Sequence, residues 1–125
     1  MSILLDSDVV IEILRSRDQV ILSQWEALAN SGTLLLFSPV NAAEIWAGAR
    51  PNEHEVISRF FNPLTCVPIE YNIARLAGNF LRQFGKSHNL KICDALIAAT
   101  AIQQKATLWT RNHKHYPMPD LPFHS

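Results

Sequence analysis

The sequence predicts an α/β fold in which a central parallel sheet carries helices on both faces. Short apolar runs alternate along the chain with longer segments of helical periodicity, which is the order of repeated strand–helix units. The runs are uniformly apolar and do not alternate with polar residues, as expected of strands that are buried on both faces. We therefore expect residues 1–125 to form a single domain.

The elements follow in order along the chain. Four apolar runs are predicted to be strands, namely residues 3–5, 34–37, 65–67 and 107–109. Helical patterns cover residues 9–15, 18–30, a segment from Asn41, and then residues 53–61, 71–84 and 93–106. Gly32, Pro51, Pro63 and Gly85 separate these elements. The proline-rich segment 116–125 is expected to be extended.

Composition narrows the class of protein. Hydrophobic residues make up 48% of the chain and charged residues 18%, which is typical of a globular domain. No apolar run approaches the roughly 18 residues of a membrane span, and no basic region precedes an apolar stretch as in a signal peptide. We therefore expect a cytoplasmic protein without a membrane partner. Cys66 and Cys93 lack metal-ligand spacing, and we expect both to be buried free thiols.

The net charge is zero, but the charges are unevenly distributed. Residues 1–62 carry four Lys or Arg against eight Asp or Glu, whereas residues 63–125 carry seven against three. This pattern fits an acidic pocket beside a basic rim, and it fits solvated surfaces equally well. The overall charge therefore argues neither for nor against a nucleic-acid partner.

Acidic residues follow the first two predicted strands. Asp6 comes directly after the first strand, and Asp8 is placed to cap the helix that follows. Glu44 lies just beyond the second strand, although the spacing from Asn41 to Glu44 also fits a capping box. Because ligands of parallel sheets bind beyond the carboxyl ends of the strands, Asp6 and Glu44 are expected at one edge.

Asp94 begins the alanine-rich helix that precedes the last predicted strand. It shares one helical face with three apolar residues, Ile97, Ala98 and Ala101. A carboxylate at the head of such a stripe is costly unless it is paired or binds a metal. A favourable interaction with the helix dipole alone is worth only about 0.3–1 kcal/mol. Asp94 is therefore predicted to join Asp6 and Glu44.

Three converging carboxylates favour a divalent cation. Two like charges about 5 Å apart repel by roughly 3 kcal/mol at an effective dielectric of about 20. Mg²⁺ or Mn²⁺ prefers oxygen ligands of this kind, and such an ion activates water and stabilises charge on a phosphate. The sequence shows no His or Cys pair with zinc-ligand spacing, no nucleophile elbow and no glycine-rich phosphate loop.

The chain resembles the PIN-domain family, and most closely its VapC branch of toxin ribonucleases. The resemblance rests on three blocks in order: LLDSDVVIEIL, SPVNAAEIWAGAR and CDALIAATAIQQKATLWTRNHKHY. It implies a three-layer α/β/α sandwich with a central parallel sheet of four to five strands. It also implies hydrolysis of RNA with Mg²⁺ or Mn²⁺, assembly into a homodimer and a cognate VapB-like antitoxin as partner.

Carried over by position, the resemblance places the family's metal-binding acids on Asp6, Glu44 and Asp94. The family often has a fourth acid at the position of Asn112 or three residues later. This chain has Asn112 and His115 there, so we expect one metal site and leave a second in doubt. Asn112 is predicted to complete the catalytic set. The predicted residues around the metal or the RNA phosphates are Asp8, Thr110, Arg111 and His115.

These observations predict a metal-dependent endoribonuclease that acts as the toxin of a toxin–antitoxin pair. One alternative is a PIN domain that binds antitoxin or RNA and cleaves weakly or not at all, since the fourth acid is missing. Another is a haloacid-dehalogenase-type phosphatase, because Asp6-Ser7-Asp8 matches that family's opening Asp-x-Asp. The short chain and the lack of an acidic pair after Asp94 disfavour the phosphatase.

Overall fold

The computed structural model describes residues 1–124 and contains a parallel sheet of four strands. The strands are β1 (Ser2–Leu5), β2 (Leu34–Phe37), β3 (Thr65–Cys66) and β4 (Thr107–Trp109). Their spatial order is β3-β2-β1-β4, and all three pairings are parallel. β1 is therefore central, and the predicted parallel sheet is confirmed.

Six helices surround this sheet. They are α1 (Ser7–Arg15), α2 (Gln19–Ala29), α3 (Pro39–Ala47), α4 (His54–Phe61), α5 (Tyr71–Phe84) and α6 (Ile92–Gln103). Short 3₁₀ turns occupy Pro51–Glu53 and His113–His115. One apolar core joins the sheet to α5 and α6, and a second joins it to α1, α2 and α4. These two cores, one on each face, make the predicted α/β/α sandwich.

Two helices begin earlier than the sequence predicts. Asp6, not Asp8, caps α1, because Asp6 has extended backbone angles and its side chain accepts the Ser7 N–H. Ser38, not Asn41, caps α3, and the capping box joins Ser38 to Asn41. The alternative role of Glu44 as a capping-box partner of Asn41 is therefore wrong. Glu44 lies in the body of α3, and its carboxylate remains available for another role.

The end of α6 and the exposure of the cysteines also differ from expectation. α6 ends at Gln103 rather than Ala106, because Lys105 adopts a left-handed conformation with φ of 53° and turns the chain toward β4. Cys66 is exposed rather than buried, since the two-residue β3 is an edge strand whose side chains reach solvent. Cys93 is half-buried. Both cysteines are free thiols.

The C-terminal segment was expected to be extended over residues 116–125, but its described part turns at residues 119–120, where the Leu121 N–H donates to the Met118 carbonyl, before it pairs with β4. Phe123 forms a parallel bridge with Leu108, and two backbone hydrogen bonds of 2.9 Å tie Leu108 to Pro122 and His124. This segment therefore lies beside β4 and holds the loop that follows β4 against the sheet. Across residues 1–124, the helices are all too short or too polar to cross a membrane.

Candidate active site at the carboxyl edge of the sheet

The central strand β1 delivers Asp6 to the carboxyl edge of the sheet. The Asp6 N–H donates to the carbonyl of Trp109 at the end of β4, which holds the residue between two strands. Its carboxylate is buried, with 8% of the residue exposed. Oδ1 accepts the Ser7 N–H at 2.8 Å, whereas Oδ2 accepts the Thr110 hydroxyl at 2.9 Å and the Tyr116 hydroxyl at 2.7 Å. Three donors thus fix the position of the Asp6 carboxylate.

Asp8, in the first turn of α1, binds the loop that follows β4. Its Oδ2 accepts the Arg111 N–H and the Asn112 side-chain amide, each at 3.0 Å, and a longer bond of 3.4 Å from Thr110. Burial and the negative charge of Asp6 raise the pKa of Asp8. The other oxygen, Oδ1, is buried without a hydrogen-bond partner. The structure therefore brings together Asp6, Asp8, Thr110 and Asn112, four of the residues that the sequence analysis assigned to the site.

A relay of side chains connects Glu44 to the start of α1. The Ser38 N–H donates to Asn41 Oδ1, and Asn41 Nδ2 donates to Ser7 Oγ at 3.1 Å. Ser7 Oγ in turn donates to Glu44 Oε1 at 2.7 Å. Asn41 is completely buried and Ser7 nearly so, while Glu44 is exposed. The relay therefore fixes an exposed carboxylate of α3 beside the residue that follows Asp6.

Asp94 faces the same edge from the first turn of α6. Burial raises the pKa of Asp94, and the negative charges of Asp6 and Glu44 raise it further. The positive charges of His115 and Lys91 act in the opposite direction. The two acids and His115 thus lie within electrostatic range of Asp94. His115 itself is exposed, on an open depression lined by residues 111–115.

Four residues at this edge were not assigned to the site in the sequence analysis, where Asn41 was considered only as a helix cap. They are Ser7, Glu12, Asn41 and Tyr116. Glu12, 7% exposed on α1, accepts hydrogen bonds or ion pairs from Arg17 at 2.7 Å and Arg111 at 3.1 Å. Glu12 therefore holds the guanidinium of Arg111, a residue that is predicted to bind phosphate. No rule of sequence spacing relates these residues to their partners. Glu12 alone could have been noticed in the sequence, because an acid on the buried side of a helix is costly unless it is paired.

The side chains at this edge fit a divalent cation in chemical type. Carboxylate oxygens from β1, α1, α3 and α6 are the ligands that Mg²⁺ and Mn²⁺ prefer, and the unpartnered Asp8 Oδ1 is a buried oxygen that lacks a donor. Within residues 1–124, however, no three His, Cys, Asp or Glu side chains are grouped closely enough to form a complete ligand set. The oxygen ligands are present, but they are not grouped around a single point.

The chain belongs to the PIN-domain family, whose model matches residues 3–121. It is 34% identical over 120 residues to ribonuclease VapC19 of Mycobacterium tuberculosis, covering 94% of this chain and 95% of that protein. It is 38% identical over 117 residues to ribonuclease VapC10 of the same species, covering 93% and 86%. The family suggested by the three sequence blocks is thereby confirmed, and the phosphatase alternative is excluded.

Solved structures show the same fold at lower sequence identity. VapBC2 of Rickettsia felis, solved with a DNA fragment from the promoter, matches with a TM-score of 0.82 at 24% identity over 99% of this chain and 98% of that one. DNA-bound VapBC of Salmonella typhimurium matches with a TM-score of 0.83 at 16% identity over 99% and 97%. These matches establish the three-layer fold for this chain.

Proposed function

We propose that this protein is an endoribonuclease that hydrolyses RNA phosphodiesters with Mg²⁺ or Mn²⁺. The single observation that carries the proposal is the placement of carboxylates at one sheet edge: Ser7 donates its N–H to Asp6 at 2.8 Å and its hydroxyl to Glu44 at 2.7 Å, and Asp94 lies within electrostatic range of both acids. Its relatives in the PIN family include ribonucleases. The reaction breaks one P–O ester bond by attack of water on phosphorus, and the leaving oxygen takes a proton.

Each residue is assigned a distinct part in this proposal. Asp6, Glu44 and Asp94 would hold the cation, and Asn112 completes the catalytic set from the loop after β4. A bound divalent ion supplies a water molecule of lowered pKa and stabilises charge that develops on the phosphate.

The remaining predicted residues support the acids and face the RNA. Asp8 anchors the loop through the Arg111 N–H and the Asn112 amide, and Thr110 fixes Asp6. Arg111, whose guanidinium pairs with Glu12, and His115 line the open depression, where an RNA backbone would bind.

Cleavage of RNA by the purified protein tests the proposal. We expect cleavage with Mg²⁺ or Mn²⁺ and its loss in EDTA, and we expect Asp6→Asn and Asp94→Asn each to reduce the rate by at least about 100-fold, since each removes a charged ligand. Asp120→Asn, at an exposed acid, is the matched control and should leave the rate unchanged. Equal rates for all four proteins would exclude the assigned site.

A second candidate function is that of a PIN domain that binds without cleaving. Two observations favour it: neither Asn112 nor His115 supplies a fourth acid, and the carboxylates do not form a complete ligand group within residues 1–124. Calorimetric titration with Mn²⁺ separates the candidates. Absence of binding at millimolar Mn²⁺ would favour the binding-only domain, whereas saturable binding that depends on Asp6 favours the nuclease.

We further propose that the protein is a cytoplasmic toxin that forms a homodimer and binds a VapB-like antitoxin. The support is that the structural neighbours include VapBC structures and a toxin–antitoxin complex from Klebsiella pneumoniae. An apolar groove between α1, α3 and α4 offers a surface for such a partner. Its apolar lining is Ile11, Leu14, Ile45, Ala49 and Ile57, and the charged residues Arg15, Glu44 and Glu53 lie at its walls. Light-scattering masses of the chain, alone and with the product of a neighbouring small reading frame, test both assemblies.

A further inference from the structure

Tyr116 stands out among the residues of this edge that the proposed mechanism does not use. Its hydroxyl donates to Asp6 Oδ2 at 2.7 Å, across 110 positions of sequence, and only 4% of the residue is exposed. The chain has one other tyrosine, Tyr71, which is 83% exposed at the start of α5. Tyr116 is thus the tyrosine whose hydroxyl contacts Asp6, the first of the predicted metal ligands.

The phenol ring is held rigidly by the sheet. Tyr116 lies in the apolar core that contains Leu4, Leu108 and Met118, and its ring contacts Phe123 edge-on at 6.4 Å between centroids. Phe123 is itself paired with Leu108. The Tyr116 N–H donates to the His113 carbonyl, which closes the 3₁₀ turn. The hydroxyl is therefore presented from a fixed frame rather than from a mobile loop.

The hydrogen-bond acceptor of the Tyr116 hydroxyl indicates a role for this contact beyond packing. A buried tyrosine requires only some acceptor, and a backbone carbonyl would satisfy it. Here the acceptor is a carboxylate oxygen that also receives the Thr110 hydroxyl at 2.9 Å, while Ser7 holds the other oxygen. With donors on both oxygens, the Asp6 carboxylate cannot rotate without breaking hydrogen bonds.

We propose that Tyr116 is a positioning residue that orients the Asp6 carboxylate for metal binding, together with Thr110. The inference rests on the proposed function, because it assumes that Asp6 is a metal ligand. In this chain the segment after β4 lacks the fourth acid, and it contributes hydroxyl donors to Asp6 in place of a further carboxylate. Groups that orient metal ligands typically change metal affinity or activity by 10–100-fold when removed.

The test is Tyr116→Phe, which removes the hydroxyl and keeps the ring. Mn²⁺ binding is measured by calorimetry without RNA, and Tyr71→Phe is the matched control. We expect the Kd for Mn²⁺ to rise about tenfold in Tyr116→Phe and to stay unchanged in Tyr71→Phe. In the cleavage assay, kcat should fall while KM for RNA is unchanged, since Tyr116 is buried away from the substrate.

A second pair of variants changes Thr110, whose hydroxyl also donates to Asp6 Oδ2. This pair tests the inference even if Tyr116→Phe does not fold. Thr110→Val should weaken Mn²⁺ binding, whereas Thr110→Ser, which keeps the hydroxyl, should not. A Kd for Tyr116→Phe within twofold of wild type, or an equal effect of Thr110→Val and Thr110→Ser, would overturn the inference. Wild-type protein that binds no Mn²⁺ would remove the proposed metal site as well, so the two failures are distinguishable.

Discussion

The relay that ends at Glu44 makes a quantitative prediction for Ser7→Ala. The substitution leaves Asn41 Nδ2, in a completely buried residue, without the acceptor that it has at 3.1 Å. An unsatisfied buried donor costs about 1–3 kcal/mol. Alanine has the higher helix propensity at this first position of α1 and offsets this cost by about 0.5 kcal/mol. The net change is therefore destabilising by about 0.5–2.5 kcal/mol.

Urea unfolding and thermal unfolding in EDTA measure this change in the free energy of unfolding and in Tm, without a contribution from bound metal. For 125 residues, 1 kcal/mol corresponds to a fall in Tm of about 4 °C, so we expect Ser7→Ala to melt roughly 2–10 °C below wild type. Ser23→Ala, at an exposed position of α2, reports the propensity gain alone and should be neutral or slightly stabilising. If Ser7→Ala proved as stable as Ser23→Ala, the relay would have no energetic role.

Two further predictions concern the charges at this edge. In metal-free protein, Asp94→Asn should stabilise the fold at pH 7, because burial and the Asp6 charge raise the pKa of Asp94 above 3.8 and the folded state holds the charged form at a cost. This gain should disappear below pH 3.8, where the carboxyl is protonated in both states; urea midpoints that still differ at pH 3 would contradict it. His115→Asp should strengthen Mg²⁺-supported cleavage, since it restores an acid where the family often has one. An unchanged Mg²⁺ concentration at half-maximal rate, equal to that of the control His113→Asp, would place position 115 outside the site.

Most of the fold could be predicted because its signals are local. The apolar runs at 34–37 and 107–109 match β2 and β4, and α5 has the predicted bounds, because Gly85 ends a strongly amphipathic pattern. The starts of α1 and α3 could not be predicted, since Asp6 and Asp8, or Ser38 and Asn41, are equally suitable caps by residue type. The choice between them depends on where β1 and β2 end.

The acidic residues of the candidate site could be predicted from the sequence, but the residues that hydrogen-bond to them were harder to predict. Asp6, Glu44 and Asp94 follow strands or begin a buried helix, and such positions are legible in sequence. No such local pattern identifies Ser7 or Tyr116 in the sequence. Ser7 meets Glu44 across 37 positions, and Tyr116 meets Asp6 across 110.

The sequence by itself determined the family, the parallel sheet and the acidic residues at its carboxyl edge, because apolar periodicity and residue type act over short stretches of chain. Only the tertiary structure decided which donors hold each carboxylate and which acids influence one another. Those contacts join β1, α3, α6 and the loop after β4, and their distances depend on how the elements are packed. They decide the orientation of Asp6, on which the proposed chemistry depends.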